Sequence, residues 1–137
     1  MQGARNTNGN TGRNCKNGKS MGAVVPYESD DQITVIEWCK LHGILVNHTA
    51  NEGKRTPWQG NKLKKMGLSK GFPDISILEP RGKYHGLYIE MKRKGNKPTT
   101  EQIEWLRNLK SRGYATGLCY SASDAIALIE KYINIGG

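Results

Sequence analysis

Four stretches of this chain carry the marks of helices and four those of strands. Ser29 and Gln32 stand in capping-box spacing ahead of Ile33, Val35, Ile36, Cys39 and Leu41, and Gly43 closes what reads as a first helix. Residues 44–49, rich in branched side chains, read as a short strand, followed by a polar loop over 51–55. Thr56-Pro57-Trp58-Gln59 then supplies an N-cap, a proline at the first helical position and a capping glutamine, with Gly67 as the stop. Residues 74–79 and 86–92 are two strands joined by the turn-like stretch 80–83, which predicts an antiparallel pair. Thr99 and Gln102 box the start of a third helix whose apolar stripe is Ile103, Leu106 and Leu109 and whose end is Gly113. Residues 114–120 form the last strand, and Ser123 caps a final helix bearing Ile126, Ile129 and Ile133. The order α-β-α-β-β-α-β-α, with short connections and no repeat, specifies one compact α/β unit.

The first 25 residues stand apart. They are Gly-, Asn-, Thr- and Ser-rich, contain Arg5, Arg13, Lys16 and Lys19 but no acid, and have too little to bury to offset ordering entropy. We read 1–25 as a flexible basic arm, or as a tag remnant or extension ahead of Met21, and 26–137 as the folded domain.

Composition adds a direction. With 21 Lys+Arg against 12 Asp+Glu, the formal charge of +9 favours polyanions such as nucleic acid. No apolar run approaches a membrane span or secretory signal, so the expected compartment is the cytoplasm and no membrane partner is expected. Cys15, Cys39 and Cys119 are dispersed, with no zinc-ligand spacing. Cys39 and Cys119 sit among apolar neighbours as small core residues. His42, His48 and His85 are scattered and pair with no nucleophile, which leaves Ser-His-Asp and Cys-His chemistry without support.

The residues that carry chemistry lie in the two central strands. Side chains two apart share a face, so Glu90 and Lys92 project together with Tyr88, while Leu87, Ile89 and Met91 point oppositely. Asp74 opens the preceding strand after Pro73, and an antiparallel register that sets it opposite Glu90 brings two carboxylates together. Such a pair repels unless a cation lies between, and Mg²⁺ suits it, because that ion takes one or two carboxylates plus waters and phosphate oxygen. In this reading Asp74, Glu90 and the Met91 carbonyl hold the ion, and Lys92 orients the attacking water or neutralises the phosphate. The bland alternative is an ordinary Glu90/Lys92 pair on a solvated sheet face.

Taken together, GFPDISILEP (71–80), YHGLYIEMKRKGNKPTTEQIEWL (84–106) and the strand and helix that follow resemble the virus-type replication-repair nuclease (VRR-NUC) family of the PD-(D/E)XK superfamily, over about residues 28–132. The resemblance implies a restriction-endonuclease-like core, a mixed central sheet flanked by helices. It also implies metal ligation by Asp74 and Glu90, a catalytic Lys92, and a further acid from the first helix. Glu28 best matches that acid, although capping places it just outside the helix. Glu37 is the second candidate, against which stands a plain solvent-facing role. Gln102 resembles a glutamine recurring in the family, with a capping-box role as its alternative.

Two basic clusters flank this region in the sequence. Lys54, Arg55, Lys62, Lys64, Lys65 and Lys70 lead toward GFPD with no intervening acid, and Arg93 and Lys94 leave the ExK strand, so we read them as phosphate contacts, with Asn51 in the loop. Trp58 is open to two readings, stacking on an unpaired base or packing. The implied function is a Mg²⁺-dependent DNA endonuclease, with Mn²⁺ able to substitute. It cuts branched DNA such as Holliday junctions as a homodimer, in a bacterial or phage-infected cytoplasm. The dimer draws on apolar Tyr114, Tyr120, Tyr132, Ile133 and Ile135 near the C-terminus as surplus surface. The alternatives are a non-sequence-specific nickase, a small homing or restriction-type enzyme, and a non-catalytic DNA-binding module.

Overall fold

The computed structural model describes residues 28–50 and 56–136, with the backbone but not the side chain of Glu28. The arm read over 1–25 and the loop carrying Asn51, Lys54 and Arg55 lie outside these residues. In chain order the elements are α1 (Glu28–Leu41), β1 (Val46–His48), α2 (Pro57–Lys65), β2 (Ile75–Ile77), β3 (Leu87–Met91), α3 (Thr100–Ser111), β4 (Ala115–Cys119) and α4 (Ala122–Ile133).

The strands make one mixed sheet in the order β1-β2-β3-β4. The β1/β2 and β2/β3 pairs are antiparallel, and β3/β4 is parallel because α3 carries the chain back across. Alternation along the strands sorts the side chains onto two faces. Ile75, Ile77, Leu87, Ile89 and Met91, all essentially inaccessible, meet Val35 and Cys39 of α1 and Ala125, Ile129 and Tyr132 of α4. The other face carries Ser76, Tyr88 and Glu90, and α3 lies over β3 and β4 there.

Capping chemistry places α2 and α3 where the sequence puts them: Thr56 with Gln59 and Thr99 with Gln102 form reciprocal boxes. The glycines read as stops, Gly43, Gly67 and Gly113, take positive φ. Other expectations need correction. α1 begins at Glu28, so Ser29 lies inside its first turn and is not a cap. Its buried stripe is Gln32, Val35 and Cys39, whereas Ile33 and Leu41 are 55% and 84% exposed, because the 3-and-4 spacing from Gln32 turns them to solvent. α4 is capped by Ser121, whose hydroxyl accepts the Asp124 N–H, two residues ahead of the expected Ser123. The buried anchor of α3 is Leu109, while Ile103 is 42% exposed and Trp105 packs inward on Phe72.

Of the C-terminal apolar residues read as surplus, Tyr132, Ile133 and Ile135 belong to the core, whereas Tyr120 is 38% exposed. Tyr132 is buried with its hydroxyl donating to the Glu79 carbonyl at 2.6 Å, and Ile133 and Ile135 pack against the core. Among the described residues no helix is long and apolar enough to cross a membrane.

Candidate active site

The β2/β3 ladder pairs Ile75 with Ile89 and ends there, with Asp74 one residue ahead of β2 and Glu90 one residue past Ile89, so continuing the register sets the two acids across from each other. This is the register the carboxylate pair requires, and opposed side chains in such a pair lie roughly 5 Å apart at Cβ. Both acids are buried, Asp74 to 5% exposure and Glu90 to 2%. Asp74 is anchored from both ends: its Oδ2 accepts the Met91 N–H at 2.8 Å, and its carbonyl accepts the Thr49 N–H at 2.8 Å. The segment ahead of it is fixed by buried Pro73 and by Phe72, which meets Tyr88 and Trp105 edge-on at 5.7 and 5.0 Å.

Glu90 is held from above by α3. The Gln102 side-chain N–H donates to Glu90 Oε1 at 2.8 Å, while the same amide's oxygen accepts the Thr99 N–H at 2.8 Å. The two readings of Gln102 are thus one arrangement: the amide oxygen caps the helix and the nitrogen reaches the acid. Helix initiation is thereby coupled to the orientation of Glu90. Close approach of α3 also requires Gly71, whose φ is +87° and whose position would put a Cβ 2.8 Å from backbone atoms of Glu101 and Gln102.

Lys92 follows on the Glu90 face, half-buried. Its N–H donates to the Cys119 carbonyl at 2.8 Å, which extends the β3/β4 ladder and fixes the lysine at the carboxyl end of the strand. The loops after β3 and β4 flank a groove of about 600 Å³ lined by Lys94, Asn96, Lys97, Tyr120 and Asp124. Crevices at the carboxyl ends of parallel strands are where α/β sheets commonly bind ligands. Tyr88, on the same face, has its phenol pushed above its ordinary range by burial and then by Tyr114.

The sequence pattern of the family described as "VRR-NUC domain" matches residues 27–123. The chain belongs to the VRR-NUC family. A solved "VRR_NUC domain protein" is 30% identical, with a TM-score of 0.71 over 82% of this chain and 93% of that one. Another, a "VRR_NUC domain", is 24% identical, with a TM-score of 0.53 over 77% of this chain and 96% of that one, and supports the fold alone. No curated protein matches. Membership makes this VRR-NUC chain a nuclease of the PD-(D/E)XK type, a class that generally uses divalent metals.

Among the described residues no group of three or more His, Cys, Asp and Glu side chains gathers as a metal cluster. Two neighbouring buried carboxylates suit a hard divalent cation such as Mg²⁺, which takes one or two carboxylates with water and phosphate oxygen completing its shell.

Of the remaining site candidates, Glu28 opens α1 as its first residue rather than preceding it, one turn before Gln32. Glu37 is solvent-exposed, as its plain reading had it. Lys62, Lys64, Lys65, Arg93 and Lys94 are exposed, and Lys70 lies 3.6 Å from Glu101 with 81% of its side chain exposed. Sequence reasoning missed a contact between α1 and β1: the buried Gln32 amide oxygen meets His48 Nε2 at 2.6 Å, one residue before the Thr49 whose N–H the Asp74 carbonyl accepts. Gln32 reads locally as a capping residue, and only its place on the buried stripe of α1 signals otherwise.

Proposed function

We infer that this VRR-NUC protein is a Mg²⁺-dependent DNA endonuclease that selects branched structure. The observation that carries the reading is the burial of two neighbouring carboxylates: Asp74 and Glu90 are nearly inaccessible, and Asp74 Oδ2 accepts the N–H of Met91, which stands between Glu90 and Lys92 in β3 and its extension. Mutual repulsion makes that arrangement costly without a cation. Asp74, Glu90 and the Met91 carbonyl would hold Mg²⁺, or Mn²⁺ in its place, which supplies charge neutralisation at the phosphate and lowers the pKa of a water.

The chain's own residues do the rest. The Met91 N–H aims the Asp74 carboxylate, and Gln102 aims Glu90, so neither rotates when substrate arrives. Lys92 offers an ammonium to the attacked phosphate or its water. Glu28 completes the acid set from α1. Lys62, Lys64, Lys65, Lys70, Arg93 and Lys94, with Asn51, Lys54 and Arg55, contact the DNA backbone, and the arm over 1–25 adds sequence-blind attraction to a domain spanning 26–137. This much basic surface on so small a domain favours recognition of shape over base sequence.

A chain with one such centre makes one cut, and paired cuts on a two-fold junction are made by two copies related by a matching axis. The test is purified protein with Mg²⁺ against labelled duplex, flap, fork and four-way junction DNA, with sedimentation alongside. We expect paired nicks on the junction by a dimer. Single nicks by a monomer would leave a nickase, and binding without cleavage in Mg²⁺ or Mn²⁺ would overturn the enzymatic reading.

A further inference from the structure

α2 contributes nothing to the core, since none of its residues is buried. It is nonetheless built with care. Thr56 and Gln59 close a reciprocal capping box, Pro57 occupies the first turn, and the Met66 N–H closes the far end on Lys62 and Lys64 carbonyls. On its outer side Trp58 is 69% and Met66 73% exposed, and together with Gln59, Lys62 and Leu63 they line an open groove of about 470 Å³. The helix bears Lys62, Lys64 and Lys65 and has no acid in its first turn. Lys62 Nζ sits 5.2 Å from the centre of the Trp58 ring, an exposed cation–π pair.

An exposed indole among lysines asks for an occupant that is flat and anionic at once. An apolar protein segment would satisfy the ring but leave the lysines facing it unpaired, and a paired duplex offers phosphates but has both faces of each base already stacked. A nucleotide whose base is unpaired satisfies both demands, because its base offers a π face and its phosphate lies within a side chain's reach. The Lys62 stem is flexible, so its ammonium can pass from ring to phosphate without disturbing the capped helix.

We propose that the outer face of α2 is a stacking platform for an unpaired DNA base, with Trp58 as the plane and Lys62 and Lys65 as its phosphate clamp. The proposal rests on the nuclease reading for the identity of the polyanion, and it gives that reading a means of telling flaps, forks and other DNA with unpaired bases from duplex.

The experiment is run on the full chain in EDTA, so cleavage plays no part. Wild type, Trp58→Phe and Trp58→Ala are titrated with oligothymidylate and with blunt duplex, following polarisation of labelled DNA and tryptophan emission. Stacking on one base is worth roughly 5- to 150-fold in affinity. Trp58→Ala should lose that much for oligothymidylate and stay within about twofold on duplex. Trp58→Phe should keep most of the affinity while losing most of the emission quenching. Sedimentation and melting are measured on the same samples. An equal loss on both DNAs, or no loss on either, would overturn the proposal. So would a dimer that falls to monomer in Trp58→Ala with oligothymidylate affinity intact, which would make a second copy the occupant. Failure to cleave in Mg²⁺, read separately, would count against the nuclease assignment and leave the platform standing.

Discussion

Gly71→Ala should damage both stability and cleavage through a single contact. At φ +87° an alanine carries the left-handed strain of about 1–2 kcal/mol. Its Cβ would lie 2.8 Å from the Gln102 nitrogen and from two Glu101 carbons, and ordinary contact begins at 3.4 Å, so the start of α3 must retreat by about 0.6 Å. Two of those atoms are backbone and the third is the Glu101 Cβ, all at the start of α3 that the Thr99–Gln102 box fixes, and overpacking of that kind costs about 1–3 kcal/mol more. Gly43→Ala is the control, because its φ is +67° and nothing lies within 4 Å of its added carbon, so it carries the strain alone. In urea or thermal melts Gly71→Ala should exceed Gly43→Ala by about 1–3 kcal/mol. The retreat also draws Gln102 from Glu90, and a displacement approaching 1 Å at a positioning group can cost about a hundredfold in rate. Single-turnover cleavage at a temperature where both variants are folded should therefore be lowered well over tenfold in Gly71→Ala and little changed in Gly43→Ala. Equal melting shifts, or unimpaired cleavage by folded Gly71→Ala, would refute the reasoning.

Gln102→Glu keeps an acceptor for the Thr99 N–H but loses the donor to Glu90 and sets a negative charge beside it. The helix cap should survive by circular dichroism while cleavage falls at least tenfold, and wild-type turnover would show that Gln102 only caps. With Cys15→Ser in place, Cys39 and Cys119, whose thiols burial pushes to about 11, should resist a disulfide reagent at pH 8 until the protein unfolds, and labelling within minutes would contradict their burial. Because the folded thiols titrate near 11 and unfolded ones near 9, they hold their protons longer when folded, so stability should decline as pH rises through that window, and more steeply in melts of wild type than of a Cys39→Ala/Cys119→Ala variant, in which Tyr88 and Tyr132 still contribute. Deleting residues 1–25 removes four cations and should lower the slope of log affinity against log salt on duplex by up to about 3.6, and an unchanged slope would make the arm a bystander.

What the sequence disclosed and what it hid follow from the range of the forces involved. Capping boxes at Thr56 and Thr99 are local, with both partners within four residues, and they were legible. So was the face shared by Glu90 and Lys92, because alternation along a strand requires no knowledge of its neighbours. The opposition of Asp74 and Glu90 was conditional, since register depends on two strands at once. Illegible features were those decided by packing. Ser29 reads as a cap by spacing, yet the helix extends past it. Gln32 reads as a capping residue, yet α1 turns it inward to His48, and no local pattern announces a bond that spans 16 residues of chain. The exposure of Ile33, Leu41 and Trp58 was equally hidden, because apolar identity shows what a residue tolerates and not which side of a short helix meets the sheet. Tyr132 and Ile135 looked superfluous only because the core they complete is assembled from strands far away in the chain.

The most direct test of the central claim is a parallel measurement of cleavage and affinity for Asp74→Asn and Glu90→Gln, both close in shape to the native side chains. On a labelled four-way junction with Mg²⁺, each variant should lose cleavage below detection while its Kd for the junction stays within about tenfold, a change of 1.4 kcal/mol, and calorimetric Mg²⁺ binding should weaken. Near wild-type cleavage by either variant would contradict the assignment of the Asp74–Glu90 pair as the metal-holding centre of a nuclease.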